Sequence, residues 1–563
     1  VVGQRWREWL AKNRPGFKAE DYWMADWGAM DAAKLKPNST AQVAAAKPRL
    51  YVDSLMFYED AAIEFTAACA KRVRAELGDY ILCGANYGCH PFYYPDLARY
   101  VKWFRGNAAE LGRHSEYFWQ VGQPGPMCNG YIAEHFRSGM RFNPRAVLRQ
   151  YTMPHSPGNV ESSFMRTAFT HFAHGAKMVD YFGIGMDEGF TENHIDHKDH
   201  DRYRLIRDVN YSIGLVEDIL LESTVLPSKV AMLISDSTER WDNSGVATEF
   251  AGLNQFGAEF RKERLAYHQD RLGMWHALTF LGAAPDLIIE TDLKPDFLKD
   301  YQVLYIVGDS MPADAVPVLD KWVSNGGILM ATAGAGRFET YHAANPAMEK
   351  LLGIATRKTE EKDIFFRPRM ELPFLKPYGA AVGTGWEMPQ LAFVEDVTPV
   401  EGAEVLAKFK GGDKPAVLVR TVGKGRVFYV AALPGVAYMW SALQPPAVPD
   451  RSPGVHVVPV DFDKGADAII NMPLEAAKFE PMVKSDVKLV DTRLIQSSKA
   501  YILPIANYNR EVGQDVTVSI RADRKIKKAT SSFRGELPVK EQNGRYLITI
   551  PKLGYGDMLR LDV

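Results

Sequence analysis

The sequence predicts an α/β protein in three parts. Residues 1–222 carry four strands of a (β/α)8 barrel, 223–450 a second α/β domain, and 451–563 a small antiparallel β-sandwich. Three observations predict this: a repeated helix–strand unit at the start, short wholly apolar runs between helices in the middle, and brief alternating strands at the end.

The first unit is an amphipathic helix over about 56–76 leading into YILCGANYG (80–88). A helix near 95–110 leads into SEYFWQ (115–120), and one near 128–139 into AVLRQYTMPH (146–155). The helix near 160–174 ends at Gly175, where a left-handed cap belongs, and leads into MVDYFGIG (178–185). A last helix spaces Ile206, Val209, Ile213, Val216 and Leu220 on one face. Helix–strand repeats of this kind build parallel sheets. The strands run out into polar and aromatic residues, as at the carboxyl-terminal face of a barrel. Only four strands are evident, and a closed barrel needs eight.

In the middle, VAMLI (230–234), DLIIE (286–290), VLYIV (303–307), GGILMAT (326–332), AVLVR (416–420) and RVFYVA (426–431) are expected strands, with helices over 246–281 and 314–325. The glycines of ATAGAGRF are better explained by ordinary loop chemistry than by phosphate binding, because an isolated Gly-rich turn is weak evidence. KAYILPIANY, DVTVSI and RYLITI alternate as sandwich strands do.

Composition narrows the function. The chain has 563 residues, 46% hydrophobic and 24% charged, with a net charge of −2, so nothing electrostatic points to nucleic acid or an anionic membrane. No apolar run approaches the roughly 18 residues that span a bilayer. The opening VVGQRWREWL has no signal-peptide layout and no initiator Met, so an upstream segment is expected, and cytoplasmic, periplasmic and secreted locations all stay open. Cys69, Cys83, Cys89 and Cys128 have neither disulfide-framework nor zinc-finger spacing and read as free thiols. Nine of thirteen histidines lie between His90 and His200, and six of eleven tryptophans at or before Trp119, which places polar catalysis and sugar stacking in the first region.

The order of domains, with RWREWLAKNRPGF and FTAACAKRVRAEL within 5–79, FTHFAHGAKMVDYF (169–182), SKVAMLISD to NGGILMATAGAG, GKGRVFYVAALPG (423–435) and VDTRLIQSSKAYILPIANY (490–508), resembles the family 42 glycoside hydrolases, the β-galactosidase type, over nearly the whole chain. The resemblance implies that 1–222 is the carboxyl-terminal half of the barrel, with YILCGANYG, SEYFWQ, RQYTMPH and MVDYFGIG as strands 5 to 8. It implies that 223–450 is a Rossmann-like, amidotransferase-like trimerisation domain, hence a homotrimer. The family's acid/base glutamate, at the end of strand 4, would fall upstream of Val1, and the missing half of the barrel would come from an upstream segment or a second chain. The family's nucleophilic glutamate ends strand 7, where this sequence reads Arg149, Gln150, Tyr151, Thr152, Met153, Pro154, His155, with no carboxylate. An amidotransferase needs a cysteine nucleophile, and no cysteine follows Cys128, so that activity is excluded.

Glycoside hydrolysis uses two carboxyl groups about the scissile bond. Glu116 is the first candidate: it is the acid within strands 5 to 7, beside Trp119, whose ring could desolvate a carboxyl group and stack on a sugar. The segment from SEYFWQ to MPHSPGN also resembles family 42 relatives with a Ser-Glu pair at this strand. Glu161, in the loop-to-helix step after strand 7, is the second candidate, although an acid in a first helical turn also simply favours the helix dipole, with Asn159 as cap. Asn86, Tyr87, His90, Trp119, Gln150, His155 and Asp187 are the expected substrate contacts, and Glu188 adjoins the last of these. The cluster HIDHKDHD (194–201) has nitrogen and oxygen donors that suit a divalent ion, though a substrate-facing or solvated loop is favoured, so no metal or other cofactor is expected.

The resulting expectation is a hydrolase of galactosides or a related oligo- or polysaccharide. Its alternatives are a catalytically degenerate carbohydrate-binding or assembly protein, and a metal-dependent hydrolase using residues 194–201.

Overall fold

The computed structural model describes residues 2–24, 46–87, 98–106, 110–115, 127–152, 160–181, 184–185, 195–196, 200–242, 266–361, 376–443 and 460–563.

The chain begins with helices α1 (Val2–Asn13) and α2 (Pro48–Leu77). Trp6, Trp9, Tyr22 and Phe57 pack between them, with Trp6 and Trp9 stacked at 5.6 Å. Buried Asp53 accepts from Arg14 Nη2 (2.7 Å), Tyr22 OH (2.8 Å) and Tyr341 OH (3.2 Å), which ties this pair to the middle of the chain.

Next come β1 (Gly84–Tyr87), α3 (Ala98–Arg105), β2 (Leu111–Ser115), α4 (Met127–Met140), β3 (Val147–Thr152), α5 (Glu161–Ala173), β4 (Ala176–Tyr181) and α6 (His200–Gly214). The four strands form one parallel sheet in sequence order, with Tyr87 opposite His114, His114 opposite Gln150 and Gln150 opposite Val179. Strands β1, β3 and β4 overlap the runs the sequence predicts, whereas β2 ends at Ser115, where the expected strand 115–120 begins, and positions 116–120 lie outside the described residues. Gly175, between α5 and β4, has φ +95°, the conformation expected of a helix-ending glycine. Strand alternation sorts the faces. Leu148, Gln150 and Thr152 are buried, and Thr152 lies opposite Tyr181, whose ring stacks on Phe164 of α5. That face meets the helices. Arg149 and Asp180 turn the other way and pair with each other at 2.5 Å.

Both edges of this sheet are open among the described residues. Phe65, Leu77 and Tyr80 are 72, 61 and 81% exposed on the β1 side. Tyr211, Leu221 and Met178 are 70, 66 and 41% exposed on the β4 side.

A two-residue strand, β5 (Thr224–Val225), leads to the middle region, with β6 (Val230–Ile234), α7 (Asp236–Asp242), α8 (Ala266–Phe280), β7 (Asp286–Ile289), β8 (Val303–Val307), α9 (Ala315–Ser324) and β9 (Ile328–Thr332). Strands β10 (Gly379–Gly383), β11 (Trp386–Gln390), β12 (Glu404–Phe409), β13 (Pro415–Val422) and β14 (Gly425–Val430) complete a nine-stranded sheet in the order β11-β10-β12-β13-β14-β9-β8-β6-β7. Its parallel half, β14 to β7, has β6, β8 and β9 buried at every residue, as strands covered on both faces must be. The Gly-rich turn after β9 is an internal loop: Gly334, at φ +77°, donates its N–H to Glu395 Oε1 at 3.1 Å. Helices α10 (Pro434–Ala442) and α11 (Lys464–Ala476) close this region, and α11 packs on α8, α10 and β11. The helix in residues 246–281 is described over its second part, α8.

From Val483 onward two antiparallel sheets face each other across Tyr501, Leu503, Val518, Ile548 and Leu559. Their longest strands are β15 (Ala500–Asn507), β16 (Gln514–Ile520), β17 (Arg545–Leu553) and β18 (Gly556–Asp562). Strand β15 is buried on both faces because α5 lies across its outer side. Arg166 of α5 donates to the carbonyls of Asn507 and Asn509, both at 2.7 Å. The same sheet takes up β5, which pairs with Ile495–Gln496.

Among the described residues no helix is long and apolar enough to cross a membrane.

Candidate active site

The carboxyl ends of β1 to β4 lie side by side because the sheet is parallel and in sequence order. The chain leaves these ends at Tyr87, Ser115, Thr152 and Tyr181. In a barrel this is where the reacting side chains gather.

Glu116, Trp119, His90, His155 and Asp187 lie outside the described residues, as do Asn159 and Glu188. In sequence, Glu116 directly follows β2, and His155 follows β3 by three positions. Asn86 and Tyr87 form the last two positions of β1. Glu161 is exposed at the first position of α5, on the chain returning from β3, and the cap of that helix is Val160.

Gln150 is placed otherwise than expected. It faces the helix layer, fully buried, and donates to Thr152 Oγ1 at 2.6 Å. Its Oε1 has no partner among the described residues. A residue on this face braces the sheet from behind and does not enter the mouth. The signal was available in the strand's period of two: Leu148 belongs to the core, so Gln150 and Thr152 follow it.

Of the 194–201 cluster, Ile195–Asp196 pairs in parallel with Ile184–Gly185, and His200 and Asp201 begin α6, both exposed. Among the described residues no group of three or more His, Cys, Asp or Glu could hold a metal ion.

Beneath the sheet lies a buried charge cluster that sequence reasoning missed. Glu134 of α4 accepts from Arg137 Nε (2.9 Å), Arg493 Nη1 (2.9 Å) and His174 Nδ1 (3.0 Å). His174 Nε2 faces Asp491 at 3.2 Å. Asp286 accepts from Arg137 (2.6 Å), Arg493 (3.1 Å) and Arg141 (3.1 Å). The helices beside the β1–β4 sheet, the middle sheet and the terminal sandwich thus meet at one network. Burial opposes ionisation of Glu134, but Arg137 and Arg493 outweigh it and hold the carboxyl well below its usual range. Burial likewise opposes charge on His174, yet Asp491 and Glu134 raise its pKa. His171, one turn earlier, bonds the Thr167 carbonyl, and burial lowers it to about 4. Of the two histidines of HFAHGA, one is therefore a neutral core residue and the other a charge bridge. The exact helical spacing could not distinguish them, because Asp491 is more than three hundred residues away in sequence.

A second junction sits at the carboxyl ends of β6 and β7. Lys102 of α3 pairs with Asp236 (2.5 Å) and Glu59 (2.9 Å), and Arg240 with Asp236 (3.1 Å). Glu290 accepts from Ser235 Oγ (2.8 Å) and Ser237 N (2.9 Å). Burial, then the nearby Asp236, push Glu290 up to about 8. The barrel helices are thereby locked onto the middle domain.

Parallel βα units followed by a nine-stranded mixed sheet and a β-sandwich make a multidomain α/β architecture. Residues 258–445 match the β-galactosidase trimerisation domain family. The β-galactosidase BgaA of Planococcus sp. (strain 'SOS Orange') is 24% identical over 386 residues, 65% of this chain and 49% of that protein. The chain therefore spans about half the length of this curated relative. Among solved structures, the β-galactosidase of Bacillus circulans sp. alkalophilus superposes with a TM-score of 0.66 at 16% identity, covering 99% of this chain and 76% of that one. A family 42 β-galactosidase from G. stearothermophilus gives 0.64 at 16%, covering 100% and 76%. Residues 258–445 are thus similar to a β-galactosidase trimerisation domain, and the fold of the chain is similar to those of these β-galactosidases.

Proposed function

We propose that this chain forms the carboxyl-terminal half of the catalytic barrel, the trimerisation domain and the terminal β-domain of a glycosidase acting on galactosides or a related oligo- or polysaccharide. The observation that carries this is the match of 258–445 to a β-galactosidase trimerisation domain in a chain whose whole fold superposes on family 42 enzymes. The domains run over 1–222, 223–450 and 451–563, with α11 leaning on the middle domain. The two open sheet edges, each beside large exposed apolar side chains, suit four further strands pairing with β1 and β4. The subunits assemble as trimers through the middle domain.

The reaction is a two-carboxylate hydrolysis. Glu116, immediately beyond β2, is one carboxyl group; its partner comes from the completing strands, with Glu161 the nearest alternative in this chain. Trp119 offers a stacking face, and Asn86, Tyr87, His90, His155 and Asp187 contact the sugar. A carboxyl separation of about 5 Å would give retention, and about 6.5–9.5 Å inversion.

The test is hydrolysis of a chromogenic β-galactoside by the complete protein and its Glu116→Gln variant. The variant should lose at least about a hundredfold in kcat/KM, about 2.7 kcal/mol, at unchanged folding. A loss below tenfold removes Glu116 from the reaction. The absence of a carboxylate in 149–155 favours one second reading, a degenerate carbohydrate-binding protein. Saturable binding of galactosides with no turnover by the wild type would establish it.

A further inference from the structure

At the amino-terminal ends of β8, β9 and β14 lies a cleft of about 670 Å3. It is on the opposite end of the nine-stranded sheet from the strand ends that usually bind ligands in open α/β folds. Lys299, Lys321, Lys424 and Arg426 line it, with Gln302 and Asn325 among them, and among the described residues no Asp or Glu does. All four cations are exposed. Lys299 has Asp296 at 3.7 Å. Lys321, Lys424 and Arg426 have no ion-pair partner among the described residues. Elsewhere in the middle domain, Arg357, Lys408, Lys410 and Lys414 each face a carboxylate.

The helix ends do not account for this charge. Helices α9 and α11 both end at the cleft, and each carboxyl terminus carries about −0.5 of a charge. Two ends and Asp296 together cancel about half of four cations, which leaves roughly +2. The backbone offers little: the N–H groups of Gly326, Gly327, Ile328 and Lys424 are spent on Val323, Trp322, Gln302 and Ser324 carbonyls. A ligand would be held by side chains, three flexible ammonium groups and one guanidinium fork, which suit the oxygens of a tetrahedral oxyanion. The volume lies within the roughly 300–1,000 Å3 of small-molecule pockets and far exceeds a lone sulfate or phosphate.

We propose that this cleft binds a small molecule bearing a sulfate or phosphate ester, of the size of a sugar ester. The site is separate from the barrel mouth and does not depend on the glycosidase reading.

Isothermal titration of the full chain at low salt tests it, with galactose 6-sulfate, galactose 6-phosphate, galactose, inorganic sulfate and inorganic phosphate as probes. At least one ester should bind saturably, more tightly than its inorganic ion and than galactose, and should weaken as salt rises. Preference for one ester identifies the anion. The K424E/R426E double variant should weaken binding at least tenfold with an unchanged circular dichroism spectrum, and the single variant R426K should retain part of it. Failure of both esters to bind the wild type overturns the proposal, as does binding that the double variant leaves intact. A double variant that changes only the oligomeric state by light scattering assigns the cations to a subunit contact and also overturns it.

Discussion

Glu290 shows what burial does to a single residue. Its carboxyl group is held up near pKa 8, so it is largely neutral at pH 7. An acid raised in the folded state contributes stability that is complete below its unfolded value of about 4.5 and disappears as pH rises through about 8. Glu290→Gln, which mimics the neutral form, should therefore match the wild-type melting temperature near pH 4.5 and lack the part of the wild-type decline that Glu290 causes between about pH 4.5 and 8. Differential scanning calorimetry across that range decides it; an unchanged decline would mean that Glu290 is ionised throughout. Glycine makes the opposite kind of demand. Gly273 of α8 and Gly435 of α10 face each other so closely that a Cβ on either would overlap the other helix's backbone. Gly273→Ala should cost about 1–3 kcal/mol or more, with a fall of about 2–4 °C in melting temperature per kcal/mol. A melting temperature unchanged within 1 °C would show that the two helices can part freely. Neither effect is visible in sequence, because each depends on a partner brought in by the fold.

Among elements, the parallel strands were the most legible. YILCGANYG, AVLRQYTMPH and MVDYFGIG all contain strands, because an apolar run after an amphipathic helix admits few other readings, whereas the second strand, Leu111–Ser115, ends where the expected SEYFWQ begins. The antiparallel extension β10 to β12 escaped notice: its strands are short and half-exposed, and their partners are set by hairpins. Helix α11 escaped for another reason, the Pro473 inside it, which reads as a breaker. The site was less legible than the fold. The strand ends were found, but Gln150 was given to the mouth although the period of its strand sends it to the helices. At this scale the prediction concerns the joint between α5 and the sandwich. His174 faces Glu134, Asp491 and the Trp275 ring, with Arg137 and Arg493 on the far side of Glu134. Its raised pKa means that its contribution is full below about pH 6.5 and is lost as pH climbs through the folded value. His174→Gln should lower the melting temperature most at pH 6 and progressively less in alkali. A pH-independent penalty would show that the histidine is neutral in the folded state.

At the scale of the whole molecule, the β1–β4 sheet has two open edges among the described residues. If β1 and β4 are true edges in the 563-residue chain, their outward amides exchange with solvent faster than those of β2 and β3. Hydrogen exchange read by mass spectrometry should show this gradient, and joining the proposed upstream strands should abolish it. Equal protection of all four strands in the isolated chain would contradict the half-barrel. Light scattering at micromolar concentration should give three times the 63.0 kDa subunit mass. A monomer alone would remove the trimer.

The network around Glu134 also sets a schedule. Its carboxylate meets Arg137 three residues later, but Arg493 lies 359 residues downstream. At about 5–20 residues per second a ribosome takes about 20–70 s to supply that arginine. Strand β5 waits similarly for Ile495–Gln496. Throughout that interval the nascent half-barrel carries a buried-to-be anion with only part of its countercharge and an apolar flank without its sandwich. Residues 483–563 thus fasten elements made long before them, and a chain stopped short of these residues leaves the ribosome with α4 and α5 still open to chaperones and proteases.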